Sequence, residues 1–324
     1  MDYRKERSAD IDDITQKNHF VVNDIADGDD TDLIRKHLQI LKFLIVILFI
    51  CVISTIAIGV ISVVYVIIPR KVVSDYYSGK KITIEATDGI TLTAYEKGTD
   101  APGHNWALLI HSYKSDHTFM NPYSKGYLEA GYHVIQPDNR AHGESGGMFI
   151  GMGFLDQYDI LCWINYIIDK DPDAKIVLHG VSMGAAALMM LSGQEGLPDN
   201  IVAIIEDCGY KSARDYLTWK LEHKIHIPAF PIIPIANVAF KIAAGYYMYD
   251  ASAIDNIKNS NIPILFIHGE DDQTVPVSDV YELFNAAGRK KDIYIVQKAG
   301  HGESIGKDEI RYWKVVFSFI DKQR

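Results

Sequence analysis

A serine flanked by glycines, Gly180-Val181-Ser182-Met183-Gly184, stands directly after the apolar run KIVLH and ahead of the small-residue stretch AAALMM. This is the local order a nucleophilic serine needs. The tight turn projects the hydroxyl above the end of a strand, and a side chain at Gly180 or Gly184 would collide with neighbouring backbone. A serine hydroxyl is a weak nucleophile until a base takes its proton, and a histidine base is oriented in turn by a carboxylate. In a strand-turn-helix setting these partners come later in the chain, acid first and histidine second. His301, in KAGHGES after the strand-like run DIYIV, is the expected base. His142 precedes the serine, His179 and His268 end strands beneath the site, and His223 and His226 belong to a separate segment. For the acid, PILFIHGEDDQTVP offers Glu270, Asp271 and Asp272; Asp272 is the expected partner, with Asp207 after AIIE as runner-up. The tetrahedral oxyanion of acyl transfer needs two preorganised N–H donors. Met183 supplies the first, and the loop after ALLIH supplies the second, expected at Tyr113.

Positioning these residues requires strand ends on one edge of a sheet. After residue 70, short β-rich runs alternate with helical patterns: ITIEA, TLTAYE, ALLIH, HVIQPD, KIVLHG, AIIEDC, PILFIHG and DIYIV, with helices expected near 119–130, 155–168, 183–191, 277–287 and 308–320. The βαβα order predicts an α/β domain. Runs such as ALLIH and ILFIHG are apolar without alternation, as in central strands covered by helices on both faces, so the sheet is expected to be mostly parallel. The long interval from about 208 to 261 holds a helical stretch at 212–224 and then IPAFPIIPIANVAF, and reads as a lid inserted above the sheet. Its Phe230, Ile232, Ile233, Ile235 and Phe240 suit either a hydrophobic acyl group or simple packing of the lid onto the core.

From Phe43 to Ile68 the chain carries no charge and no proline. At 1.5 Å per residue the run reaches roughly 39 Å, enough to cross a hydrocarbon core of about 30 Å with tilt. Residues 38–69 are therefore expected to form one transmembrane anchor, making the bilayer a partner through residues 43–68. Residues 1–37, crowded with aspartates, read as a disordered tail. Lys and Arg nearly balance across the span, so charge does not set the orientation. A short tail before a single span usually stays inside, which puts the domain that follows (residues 70–324) outside the cytoplasmic membrane. Because every candidate site residue falls after Ile110, the anchor is expected to localise the protein and take no part in its chemistry.

The net charge of −10 excludes a nucleic-acid surface, which needs a concentrated Lys/Arg face. The three cysteines have neither metal spacing nor a CxxC pair. No cofactor or metal is expected.

The segments GVSMG, PDNRAHGES, HGEDDQTVP and AGHGES resemble the α/β-hydrolase superfamily, specifically bacterial members similar to monoacylglycerol lipases and serine aminopeptidases; EDCGYKSARD and AGYYMYDASAID are similar to a narrower, often membrane-anchored Gram-positive group. The resemblance runs from about Lys80 to the C-terminus. It implies the α/β-hydrolase fold, triad roles for Ser182, Asp272 and His301, and oxyanion roles for Tyr113 and Met183. It also implies scaffolding roles for Asp138, Arg140 and His142. His111-Ser112 stands where the family has His-Gly, so Ser112 is expected to tolerate backbone geometry normally left to glycine. The expected activity is hydrolysis of a carboxylic ester or related acyl bond of a small or lipid-like substrate. Peptide hydrolysis and acyl transfer use the same triad. A catalytically silent, membrane-anchored binding scaffold is the alternative from another class.

Overall fold

A computed structural model describes residues 28–69, 71, 79–98, 100–288 and 290–323. Most of the expected acidic tail, residues 1–27, lies outside the described residues. The chain divides into two compact units, Met1–Ala57 and Ile58–Arg324. In the first, helix α1 (Gly28–Ile67) begins and exposes nearly all its side chains from Thr31 to Ala57. Among the described residues it is the one helix long and apolar enough to cross a membrane. Its last turns, from Ile58 on, belong to the second unit.

The second unit is built on eight strands: β1 (Lys80–Glu85), β2 (Thr91–Lys97), β3 (Asn105–Ile110), β4 (His133–Pro137), β5 (Lys175–Val181), β6 (Ile201–Asp207), β7 (Ile264–Gly269) and β8 (Lys291–Val296). Their order is β1-β2-β4-β3-β5-β6-β7-β8. The pairs β1·β2 and β2·β4 are antiparallel and the remaining pairs parallel. This is the mostly parallel α/β sheet that the run order predicted and the α/β-hydrolase fold that the resemblance implied. The apolar runs without alternation are buried on both faces. In β3, Trp106, Leu108 and Ile110 enter one core layer while Ala107 and Leu109 enter the other, as a period of two requires.

Helices α3 (Asp156–Lys170) and α4 (Met183–Leu191) close the first layer. Tyr123 and Tyr127 of α2 (Asn121–Glu129) and Tyr312, Val316 and Phe319 of α8 (Glu309–Asp321) close the second. The lid supplies α5 (Ala213–Lys220), a π-helical turn Leu221–Ile225 and α6 (Ile232–Ala244). Helix α7 (Val277–Ala286) follows β7. The proline-rich lid sequence still forms a helix because Pro234 falls in its first turn, where the ring removes no intrahelical bond. Ile232, Ile233, Ala236 and Phe240 of α6 are buried, whereas Phe230 stands exposed before it.

Candidate active site

Strand β5 ends at Val181 and α4 starts at Met183, leaving Ser182 as the turn between them, with φ 56° and ψ −112°. A non-glycine residue there costs about 1–3 kcal/mol and persists only where its surroundings fix it. The Ser182 N–H donates to the Asp207 carbonyl (2.8 Å) and its carbonyl accepts from Ala186 N (2.9 Å). A Cβ on Gly180 would lie 2.5 Å from the Gly184 carbonyl carbon, and one on Gly184 would lie 2.3 Å from the Ile110 oxygen. Both glycines are thus demanded by close backbone approach, as the motif implied.

The structure brings the three expected residues together. Ser182 Oγ lies 2.8 Å from His301 Nε2, and His301 Nδ1 lies 2.7 Å from Asp272 Oδ2. With a carboxylate facing Nδ1, that nitrogen carries the proton, and Nε2 is left to accept from the serine hydroxyl. The other Asp272 oxygen accepts from Thr274 N (2.7 Å) and Val275 N (2.9 Å). Burial works to raise the Asp272 pKa, but the two histidines around it and the Val275 amide outweigh burial and hold the carboxyl well below the usual range. It therefore stays ionised beside His301. The loop carrying His301 is fixed from below: Asp271 N donates to Ala299 O (2.9 Å), and Gly300 N to Glu303 Oε2 (2.9 Å).

Asp207, the runner-up acid, is elsewhere engaged. It is fully buried and accepts from Ser304 Oγ (2.9 Å) and Tyr312 Oη (3.0 Å). Burial pushes its pKa up to about 6. It braces the segment after His301 without touching the imidazole. His268, set aside in the sequence as a strand end, does meet the acid: its Nε2 lies 3.3 Å from Asp272 Oδ2 and donates to Val275 O (3.0 Å). Burial would lower its pKa, but the Asp272 and Glu206 carboxylates leave it raised. The signal was its place four residues before Asp272, on the same strand end. His179 is a buried core residue between the Tyr127 and Tyr312 hydroxyls.

Met183 heads α4, so its N–H has no acceptor within the helix, and a helix N-terminus favours developing negative charge. The facing loop after β3 is held by Asn139 and by His142, one of the three residues expected to scaffold. Asn139 N donates to His111 Nε2 (2.9 Å), Asn139 Nδ2 to His111 O (3.0 Å), and Lys114 N to His142 Nε2 (3.0 Å). Each histidine thus accepts through Nε2 and must be neutral. Burial is the main cause that depresses both, His111 to about 3. Asp138 accepts from His117 N (2.8 Å) and Glu144 N (2.9 Å), and Arg140 clamps Asp159 at 2.6 and 2.7 Å.

One expectation is corrected here. The left-handed position of this loop is Lys114 (φ 55°) and not Ser112, which keeps a negative φ; glycine geometry is needed two residues later than the family pattern implied. The end of α1 also meets this loop. Tyr113 Oη donates to Val66 O (2.8 Å), Lys114 Nζ to Tyr65 O (3.0 Å) and Ile150 N to Ile67 O (2.9 Å). Of these last helical carbonyls, which lack partners inside any helix, those of Tyr65 and Val66 are capped by the loop that carries the second expected oxyanion donor, and that of Ile67 by Ile150. No feature of the sequence pattern marks this contact, because carbonyls carry no residue identity.

Cys208, Asp272 and His301 each offer a ligand atom, all within 4.8 Å of one another. Asp272 and His301 are already bonded to each other, and burial keeps the Cys208 thiol protonated, so these donors fit the proton relay better than a metal.

Residues 117–324 match the model of the prolyl oligopeptidase family. The chain belongs to that family. It is accordingly a hydrolase of the α/β-hydrolase superfamily. Over 218 residues it is 28% identical to the uncharacterized protein YqkD of Bacillus subtilis, covering 67% of this chain and 71% of that one. It is 25% identical over 185 residues to the lysophosphatidylserine lipase ABHD12 of Xenopus tropicalis, covering 54% of this chain and 45% of the lipase. Among solved structures, the Pyrococcus furiosus esterase Pf2001 superposes with a TM-score of 0.65 at 19% identity, over 79% of this chain and 98% of the esterase; at that identity the likeness is one of fold.

Proposed function

We propose that this member of the prolyl oligopeptidase family is a serine hydrolase that cleaves a carboxylic ester through an acyl-enzyme on Ser182. The observation that carries the reading is the unbroken relay from Ser182 Oγ through His301 to Asp272, at 2.8 and 2.7 Å. Ser182 Oγ attacks the ester carbonyl carbon while its proton passes to His301 Nε2. The tetrahedral oxyanion accepts from the N–H groups of Met183 and Tyr113. Collapse breaks the C–O bond, and the His301 proton leaves with the alcohol. Water then gives a proton to His301, adds to the acyl carbon and releases the acid, and Ser182 regains its proton. Asp272 keeps the imidazole in the working tautomer throughout. In this reading α1 holds the enzyme in a membrane through residues 43–68, with the hydrolase domain on the outer side.

The family name favours a second reading, in which the same relay cleaves a peptide amide. The esterase and lipase among the similar proteins, together with the apolar residues of the lid helix, weigh toward the ester. A fluorophosphonate should label the wild type at Ser182 and leave folded Ser182→Ala unlabelled; labelling that persists in the variant overturns the assignment. Turnover of p-nitrophenyl esters but not of a peptide p-nitroanilide separates the two substrates.

A further inference from the structure

Between the last turns of α1 and the lid lies a cavity of about 230 Å³. It is lined by Val63 and Val66 of α1 and by Leu217, Leu221, Ile233 and Phe240 of the lid, among others, and only Ser62, Tyr65 and Lys220 bring polar side-chain atoms to it. A space of this composition is suited to hydrocarbon: no set of convergent donors and acceptors could orient a polar ligand. Its volume is just under the roughly 300–1,000 Å³ of sites that enclose a whole drug-sized ligand, which suits one acyl chain and not a complete lipid.

Two further observations tie the cavity to the oxyanion loop and to the surface of the lid. Tyr65 and Val66 line the cavity, and their carbonyls are the ones held by Lys114 and Tyr113. One wall of the cavity is thus bonded to the oxyanion loop. On the outer side the lid is unusually apolar for a surface: Phe230 is 78% and Ile242 83% exposed, with Ile225 and Val238 also exposed. Trp219 and Tyr247 accompany them, with Lys224 and Lys241 stacked over their rings at 5.3 and 5.4 Å. Exposed aliphatics beside aromatic rings and snorkelling lysines are the composition of a membrane interface, and the unit that carries them begins with the final turns of the one helix among the described residues that is long and apolar enough to cross a membrane.

We propose that this cavity is the acyl-chain site of the enzyme, with the end of the membrane helix as one wall, and that its substrate is a bilayer lipid whose chain enters from the membrane between α1 and the lid. The inference rests on the ester-hydrolase reading and narrows its substrate to a lipid bearing a medium or long acyl chain. Lys220, whose pKa burial lowers, is one of the three polar residues of the cavity lining.

The test uses the full-length protein in detergent micelles, with p-nitrophenyl acetate and octanoate as probes. The wild type should show a kcat/KM ratio of octanoate to acetate of at least tenfold, and Ala236→Phe, which fills the cavity, should lower that ratio at least tenfold. Leu221→Trp is the second filling variant. Should both fail to melt cooperatively, wild type in phosphatidylcholine vesicles carrying a fatty acid with a terminal diazirine should crosslink, on irradiation, at cavity residues from α1 and the lid. A ratio unmoved in a folded variant, or crosslinks confined to other surfaces, overturns the proposal. Phosphonate labelling of Ser182, run in parallel, reports separately on the hydrolase reading.

Discussion

The two walls of the site are held by different kinds of structure. On the wall of the proposed triad, Ser182, Asp272 and the His301 loop follow β5, β7 and β8, paired parallel strands whose central members are buried on both faces. On the wall of the proposed oxyanion donors, the loop after β3 is held by neutral buried histidines and by the end of α1. The first wall is a property of the sheet. The second depends on a helix that begins far outside it, and on two histidines that must not be protonated. The triad wall should therefore tolerate changes in the anchor that the oxyanion wall does not.

The largest effects should come from the triad wall. Ser182→Ala, His301→Ala and the double variant should fall to a common residual rate, because the residues act as a unit. Asp272→Asn should cost roughly 10⁴ in kcat through the wrong imidazole tautomer, while Asp207→Asn, whose carboxyl meets only Ser304 and Tyr312, should cost far less. Rates of the cleanly melting variants, measured on p-nitrophenyl acetate, decide this. The reverse ranking would move the acid to Asp207.

Next in size is the anchor itself. A chain beginning at Ile58 keeps the capped carbonyls and should retain kcat on a soluble ester within about threefold of full length, since its transition-state contacts are unchanged. One beginning at Lys71 loses them and should drop by roughly 10²–10³, the cost of one oxyanion donor. Equal rates from the two would show that α1 only localises the enzyme. A finer cut is Tyr113→Phe, which removes the bond to Val66 O and keeps the backbone N–H. One hydrogen bond is worth about 0.5–1.5 kcal/mol, so kcat should fall up to about tenfold with KM little changed. A KM effect alone would place Tyr113 in substrate binding.

These contrasts also separate what was legible in the sequence from what was not. GVSMG could be read because a nucleophile turn needs glycines where backbone meets backbone, and His301 and Asp272 followed from chain order and strand ends. The strands were legible because unalternating apolar runs belong to doubly covered sheets. The role of His268 was not, since a histidine at a strand end looks alike whether it meets an acid or a hydrophobe. The cap on α1 was hidden for a deeper reason: its acceptors are main-chain carbonyls, and the tyrosine and lysine that reach them have ordinary surface types. Ser112 misled because the family's glycine marks a place in the motif, whereas the left-handed residue here is Lys114.

The last effect concerns acid and falls on stability, not on rate. Folded His111 stays neutral down to about pH 3, whereas in the unfolded chain it titrates near 6.5. Its contribution to stability is therefore complete above about pH 6.5 and is lost as the pH falls toward 3, by at most about 1.4 kcal/mol per pH unit. Urea unfolding of wild type and His111→Gln should show a stability gap at pH 7 that narrows by pH 4.5. A gap that widens on acidification would mean that His111 is charged in the folded protein.

The measurement that bears most directly on the whole account is capture of the acyl-enzyme. Wild-type protein mixed with excess p-nitrophenyl octanoate and quenched in acid within the first turnovers should release a burst of p-nitrophenol close to one equivalent. Intact mass should show one octanoyl group, mapped by peptide analysis to Ser182. Steady turnover with no burst and no adduct, or an adduct on any other residue, would contradict the assignment of Ser182 as nucleophile.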